Sequence, residues 1–175
     1  MTKKPKRAKF EPPLCIFCGK PGMSEEHLFT DWLRADFPRT SHDSHVYATI
    51  DVDRQRSTVR HRHGHSGSRK SKRVCKKCNN IWISQIDNGL RTILPPIYKG
   101  AEQIIDQNKQ AALAVWLTKI SMVGDSLEPS KSKVPQHQRT WILAARTPPL
   151  GFQIWLGSLD DREFGELGIY QNRGG

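Results

Sequence analysis

All four cysteines of this 175-residue chain fall into two C-x-x-C pairs, Cys15-Ile16-Phe17-Cys18 and Cys75-Lys76-Lys77-Cys78. Thiolates are soft ligands, and a two-residue spacer lets both sulfurs of a pair face one ion. Two pairs can therefore close a tetrahedral four-thiolate zinc site. Such sites hold together pieces of chain that bury too little apolar surface to stay together alone. The span between the pairs is long for a compact zinc finger, so the ion is expected to staple the base of a hairpin to a following helix. Two disulfides or four buried free thiols are the alternatives. Nothing near the N-terminus looks like a secretory signal, and a cytoplasmic chain keeps its thiols reduced, which favours zinc.

The apolar fraction of 36% is low, enough for one domain, or one domain with basic extensions. No apolar run approaches the length needed to cross a membrane. The formal charge is +11 with seven neutral histidines, and a four-thiolate zinc site would leave about +9. A chain this basic most often binds polyanions, with nucleic acid the default partner. A ribosome-associated or merely soluble basic protein is the bland alternative.

Along the chain, residues 1–13 read as a basic disordered arm carrying Lys3, Lys4, Lys6, Arg7 and Lys9, able to lie along phosphates. Ser24 to Leu33 reads as a helix capped by Ser24, with Leu28, Trp32 and Leu33 on its apolar face. Within it, Glu26-His27 sets a carboxylate beside an imidazole. One can hold a divalent cation while the other takes a proton from water. His45 to Val52 alternates as a half-buried strand. Arg60 to Arg73 reads as a flexible basic loop, in which His61, His63 and His65 meet phosphates rather than forming a ligand set. Asn79 to about Leu90 reads as a helix with Ile81, Trp82, Ile86 and Leu90 inward. Asn79 or Asn80 either caps that helix or offers a side-chain oxygen beside the cysteines to a phosphate-bound cation. Pro95-Pro96 breaks the chain. Lys109 to Val123 is an amphipathic helix with Leu113, Trp116, Leu117 and Ile120 on one face, capped by Asn108 and ended by Gly124. Ser126 to Gln138 is loop-like. Trp141–Ala145 and Phe152–Leu156 read as two strands, with Ile169-Tyr170 a third, before the chain stops at Gly174-Gly175 as a short or truncated form would.

The order C-x-x-C, Glu26-His27, C-x-x-C-Asn79 resembles the HNH endonucleases, whose ββα-metal fold grips one catalytic cation between a hairpin and a helix. It is most similar to their zinc-stapled branch, which includes the endonuclease VII-type resolvases and a group of small bacterial and phage HNH proteins. The likeness rests on Cys15-x-x-Cys18-Gly19, Glu26-His27-Leu28-Phe29, Trp32-Leu33 and Cys75-x-x-Cys78-Asn79-Asn80-x-Trp82-x-Ser84. It extends through Trp116-x-x-Lys119 to about residue 157. Three departures stand out: Glu26 replaces the commoner Asp or His, the span between the halves is long and basic, and no asparagine lies between His27 and Cys78. The residue that usually orients the base is thus missing from its expected place.

What the resemblance implies is an α+β chain. A ββα-metal core over residues 14–94, with its basic loop at 60–73, is stapled by structural zinc on Cys15, Cys18, Cys75 and Cys78. A C-terminal helix and antiparallel strands over 95–175 pack on that core. The implied reaction is metal-dependent hydrolysis of phosphodiester bonds in DNA. His27 activates water, Glu26 and Asn79 hold Mg²⁺ or Mn²⁺, and Asn80 and Asp31 are reserve ligands. Arg60, Arg62, Arg69, Lys70, Lys72 and Arg73 are the expected nucleic-acid contacts, within a cytoplasmic bacterial or phage-infected host and in some cases a larger protein assembly. The alternative is a catalytically inactive, zinc-stabilised nucleic-acid-binding or adaptor protein.

Overall fold

The computed structural model describes residues 13–36, 69–127 and 132–157 in full, and the backbone of 44–51 and 56–63. The basic arm up to residue 12, His65 and Ile169-Tyr170 lie outside the described residues. The chain divides into two compact units, residues 1–84 and 85–175.

In the first unit, β1 (Met23–His27) pairs antiparallel with β4 (Lys70–Cys75), Met23 opposite Cys75 and His27 opposite Lys70. Lys72 and Arg73 stand opposite the single residue Glu25, a bulge that re-aims the strand. Between the partners the chain makes a short helix, α1 (Leu33–Asp36), and a separate hairpin of β2 (Ser44–Asp51) and β3 (Arg56–His63). After β4 it enters α2 (Lys76–Cys78), a π-helical stretch Asn79–Ile83 and α3 (Ser84–Gly89) without a break. The result is two antiparallel strands followed by a helix. Phe17, Val74, Trp82 and Ile83 are buried at its centre, and the Phe17 and Trp82 rings meet edge to face at 4.9 Å, a preferred aromatic geometry.

Three sequence expectations are corrected here. Ser24 to Leu33 is not one helix. Its first half is β1, because Ser24 to His27 find backbone partners in β4 and the Ser24 hydroxyl donates to the Val74 carbonyl (3.2 Å) instead of capping a turn. The stretch 60–73 is not one loop, since Arg60 to His63 belong to β3 and Lys70 to Arg73 to β4. Backbone pairing with β1 and β2, rather than local composition, sets these strands. The helix after Cys78 begins earlier, at Lys76, and the π-helical stretch rotates its apolar face, so that Ile83 is buried and Ile81 is exposed.

The second unit is helical among its described residues. It holds α3 from Gln85 onward, with α4 (Leu94–Tyr98), α5 (Gln107–Asp125) and α6 (Gln136–Ala145). Pro95-Pro96 open α4 rather than breaking the chain, as prolines can in a first turn. Asp106, not Asn108, caps α5 by accepting from the Lys109 N–H at 2.9 Å. Leu113, Trp116 and Ile120 are buried as expected, with Leu117 only partly so. Val115, Lys119, Met122 and Val123 are also buried, so α5 is a central helix rather than a one-sided one.

Trp141–Ala145, expected as a strand, is the end of α6. Arg139 and Ile142, three residues apart, are buried on one face, and Trp141 is exposed on another. Phe152–Leu156, also expected as a strand, has no strand partner among the described residues. Its Phe152, Ile154 and Leu156 line a cavity of about 430 Å³ with Leu113 and Ala114 of α5.

Two ion pairs are closed inside this unit. Lys119 is wholly buried, with Nζ 3.2 Å from Asp87 Oδ1. Arg139 Nη2 lies 2.7 Å from Asp125 Oδ2, and its Nη1 donates to the Met122 carbonyl. Burial alone would push the Asp125 carboxyl up. Hydrogen bonds from the Ser132 hydroxyl and the Lys133 and Val134 N–H groups, with Arg139 beside it, outweigh that and hold it below the usual carboxylate range.

A depressed carboxylate contributes stability that is present above the unfolded pKa of about 3.9 and lost as pH falls through the folded value. Thermal melts should therefore fall on acidification below about pH 4, with a shallower slope in Asp125→Asn. Arg139→Ala should cost about 3–5 kcal/mol, because it leaves a buried charge uncompensated. Parallel pH slopes in wild type and Asp125→Asn would refute the assignment.

Candidate metal centre and strand-end site

The four cysteines converge. Their sulfur atoms all lie within 4.8 Å of one another, with Cys18 Sγ 3.6 Å from Cys75 Sγ. A regular tetrahedron of thiolates about 2.3 Å from zinc has edges of about 3.8 Å, so the spacing fits an ion at the centre. All four are free cysteines, with no disulfide joining them in this structure.

Local structure explains the convergence. Cys15 to Gly19 form a tight knuckle in which the Gly19 N–H bonds the Cys15 carbonyl (2.9 Å) and the Cys15 N–H bonds the Lys20 carbonyl (2.9 Å). Gly19 takes φ 68°, a conformation costly for any side chain. The Ile16 N–H donates to the Arg73 carbonyl (3.0 Å) and so ties the knuckle to β4. On the other side, Cys75 ends β4 and caps α2, its sulfur accepting from the Cys78 N–H (3.5 Å).

Burial raises the Cys18 and Cys78 thiols. At Cys75 burial acts the same way, but the Cys78 N–H and neighbouring thiols prevail and the group is lowered. The cluster could hold a metal ion and is consistent with structural zinc. Among the described residues it is the one group of three or more His, Cys, Asp and Glu whose ligand atoms come together.

At the far end of β1 the other expected residues spread over two faces. Glu26 is 3% exposed and lies opposite buried Ser71. His27, the next residue, lies at the rim with 23% of its side chain exposed. Adjacent strand residues point to opposite faces, so the pair is divided between interior and surface. Asn79 is joined to this strand rather than serving as a helix cap. Its Nδ2 donates to the Ser24 hydroxyl and the Glu25 carbonyl, both at 3.2 Å. Those two bonds fix the amide and leave Oδ1 as its acceptor. Asn80 is exposed beside it.

Of the basic residues, Lys70 and Lys72 are exposed, but both approach Glu25, at 3.2 and 3.8 Å. The Lys70 hydrogen bond and charge, with Lys72, hold the Glu25 carboxyl below its ordinary value. Phosphate would have to displace Glu25 from these cations. Arg69 and Arg73 are partly buried, and of Arg60 and Arg62 only the backbone is described, in β3.

One residue that sequence reasoning held only in reserve stands beside the imidazole. Asp31 Oδ1 is 3.4 Å from His27 Nε2 and is also paired with Arg34 Nη2. Burial lowers the His27 pKa, Asp31 opposes this, and Lys70 and Arg34 add to the lowering. The ring is therefore biased toward its neutral form near pH 7. The signal was present in the i, i+4 spacing of His27 and Asp31, which the expected helix would also have brought side by side; here the turn after β1 does so instead.

The metal reading makes a direct demand. One equivalent of tightly bound ion per chain is expected, and Co²⁺ substitution should give the visible absorption of a tetrahedral thiolate site. Cys75→Ser should abolish both, with loss of the folded first unit; full folding of metal-free wild type would exclude a structural ion. No family model, curated protein or solved structure matches the chain.

Proposed function

We propose that the chain is a metal-dependent endonuclease of the HNH type, with structural zinc on its four cysteines. The observation that carries the reading is the joining of the two halves of the motif at β1. His27 ends that strand, and Asn79, from the helix that follows β4, is hydrogen-bonded onto the same strand at Ser24 and Glu25.

A carboxylate from Glu26 and the Asn79 Oδ1 are hard oxygen donors that would suit Mg²⁺ or Mn²⁺. When bound, such a cation would offset charge developing on a phosphate and its leaving oxygen. His27, neutral and partly exposed, accepts the proton of the attacking water. Lys70 and Lys72 hold the nucleic-acid backbone without reading its sequence. DNA is the proposed substrate on the resemblance and on the net charge of +11.

The burial of Glu26 favours one second reading, a catalytically inactive nucleic-acid-binding or adaptor protein. A carboxylate closed beneath its strand must open before it can meet a phosphate-bound cation.

Plasmid and single-strand cleavage with Mg²⁺ or Mn²⁺ separates the two. Under the nuclease reading, His27→Ala with matched zinc content loses about 10²–10⁴ in rate. A zinc-loaded wild type that binds DNA without cutting it supports the inactive binder. Equal cutting by both proteins refutes the assignment of His27.

A further inference from the structure

We propose that Asp31, itself held by Arg34, is a positioning residue that keeps His27 in its Nε2–H tautomer and leaves Nδ1 as the nitrogen that meets water. Its catalytic consequence rests on the nuclease reading; the tautomer itself does not. Asp31 thereby fills the place of the orienting asparagine that this chain lacks between His27 and Cys78.

The argument begins with the two ring nitrogens. His27 Nε2 is sealed from solvent and makes no hydrogen bond, while the ring as a whole keeps 23% of its side chain exposed. A sealed ring nitrogen needs a partner, because a buried polar atom left unmet costs roughly 1–3 kcal/mol. The charged group facing it is Asp31 Oδ1 at 3.4 Å, close enough to attract though not yet aligned for a hydrogen bond. Such contacts tighten when a site is occupied.

A carboxylate only accepts, so its neighbour on the ring must carry the proton. With Nε2 protonated, the lone pair lies on Nδ1, and proton transfer from water goes there.

The backbone makes the approach possible. β1 ends at His27, and the Leu28 N–H closes its last ladder bond to the Arg69 carbonyl at 2.8 Å. Immediately beyond, the Leu33 N–H bonds the Thr30 carbonyl and the Arg34 N–H bonds the Asp31 carbonyl, both at 3.2 Å. These turns fold the chain back so that the fourth residue after His27 returns to it. They also put Arg34 within reach of Asp31, where its guanidinium fixes the carboxylate. Other charged groups facing the ring are Lys70, opposite it on β4, and Glu25, two residues before it. Lys70 is hydrogen-bonded to Glu25 at 3.2 Å, which leaves Asp31 as the acidic group at Nε2.

The test uses the full zinc-loaded chain labelled with ¹⁵N-histidine, comparing wild type with Asp31→Ala and Asp31→Glu. His27 is assigned by loss of its signals in His27→Gln. The wild-type ring should show Nε2 protonated. Asp31→Ala should give a tautomer mixture, and Asp31→Glu should restore most of the wild-type pattern. In cleavage assays Asp31→Ala should lower kcat on the order of 10–10²-fold with KM within about threefold. Asp31 is 55% exposed, so loss of its side chain should leave the fold and metal content unchanged.

Identical spectra for wild type and Asp31→Ala would overturn the proposal. A raised KM with unchanged kcat would also do so, by making Asp31 a substrate or cation contact. A wild type that cuts nothing, with spectra that change as expected, would remove the nuclease reading and leave the Asp31–His27 pair standing.

Discussion

Four sulfur atoms within 4.8 Å of one another decide how the first unit is built. Cys18 and Cys75 are 57 residues apart in sequence, yet their sulfurs are 3.6 Å apart. Everything near the site follows from that closure. The knuckle is tied to β4, β4 brings β1 alongside, and the helix that starts under Cys75 carries Asn79 back onto β1. Without the cluster, a two-stranded ladder and a short helix would be marginal, since an isolated two-stranded sheet buries too little apolar surface to persist in water. With it, the rim position of His27 and the amide of Asn79 become fixed points rather than ends of separate segments.

The second unit is organised differently, around charge closed inside an apolar setting. Lys119 is wholly buried in the middle of the most apolar helix and meets Asp87 of α3. Asp125 gathers Arg139, Ser132 and two backbone N–H groups at the end of α5. Buried charge of this kind adds little net stability over apolar packing, but leaves few alternative registers in which all the donors are satisfied. It makes α6 and the turn before it dock onto α5 in one way.

The cysteine spacing made the four-cysteine cluster legible from sequence alone, and Asn79 could be singled out because it directly follows the last cysteine. The secondary structure around these residues was less legible, for physical reasons. Ser24 to Leu33 has helical spacing of apolar residues, but ladder bonds with a strand more than forty residues away override that local preference. Trp141 to Ala145 looks like a strand by composition, yet the burial of Arg139 three residues before Ile142 requires helical spacing, and nothing local announces that an arginine will be inside. The Asp31–His27 contact spans four residues, a spacing that brings side chains together in the expected helix as well as in the observed turn after β1, so the pairing was open to sequence reasoning although its place at a strand end was not. Local pattern singled out the candidate residues; long-range pairing decides which face they occupy.

The hairpin of β2 and β3 has a further consequence. It leaves and rejoins the chain at Ser44 and His63, which stand directly opposite each other in its ladder, and both lie between β1 and β4. The ladder therefore brings the two ends of the excursion side by side. Loop-closure entropy grows slowly, by about 0.6 kcal/mol per doubling of length. An excursion whose two ends are paired in this way can change length at small entropic cost. That low cost makes the hairpin a natural place for length variation beside the four-cysteine cluster.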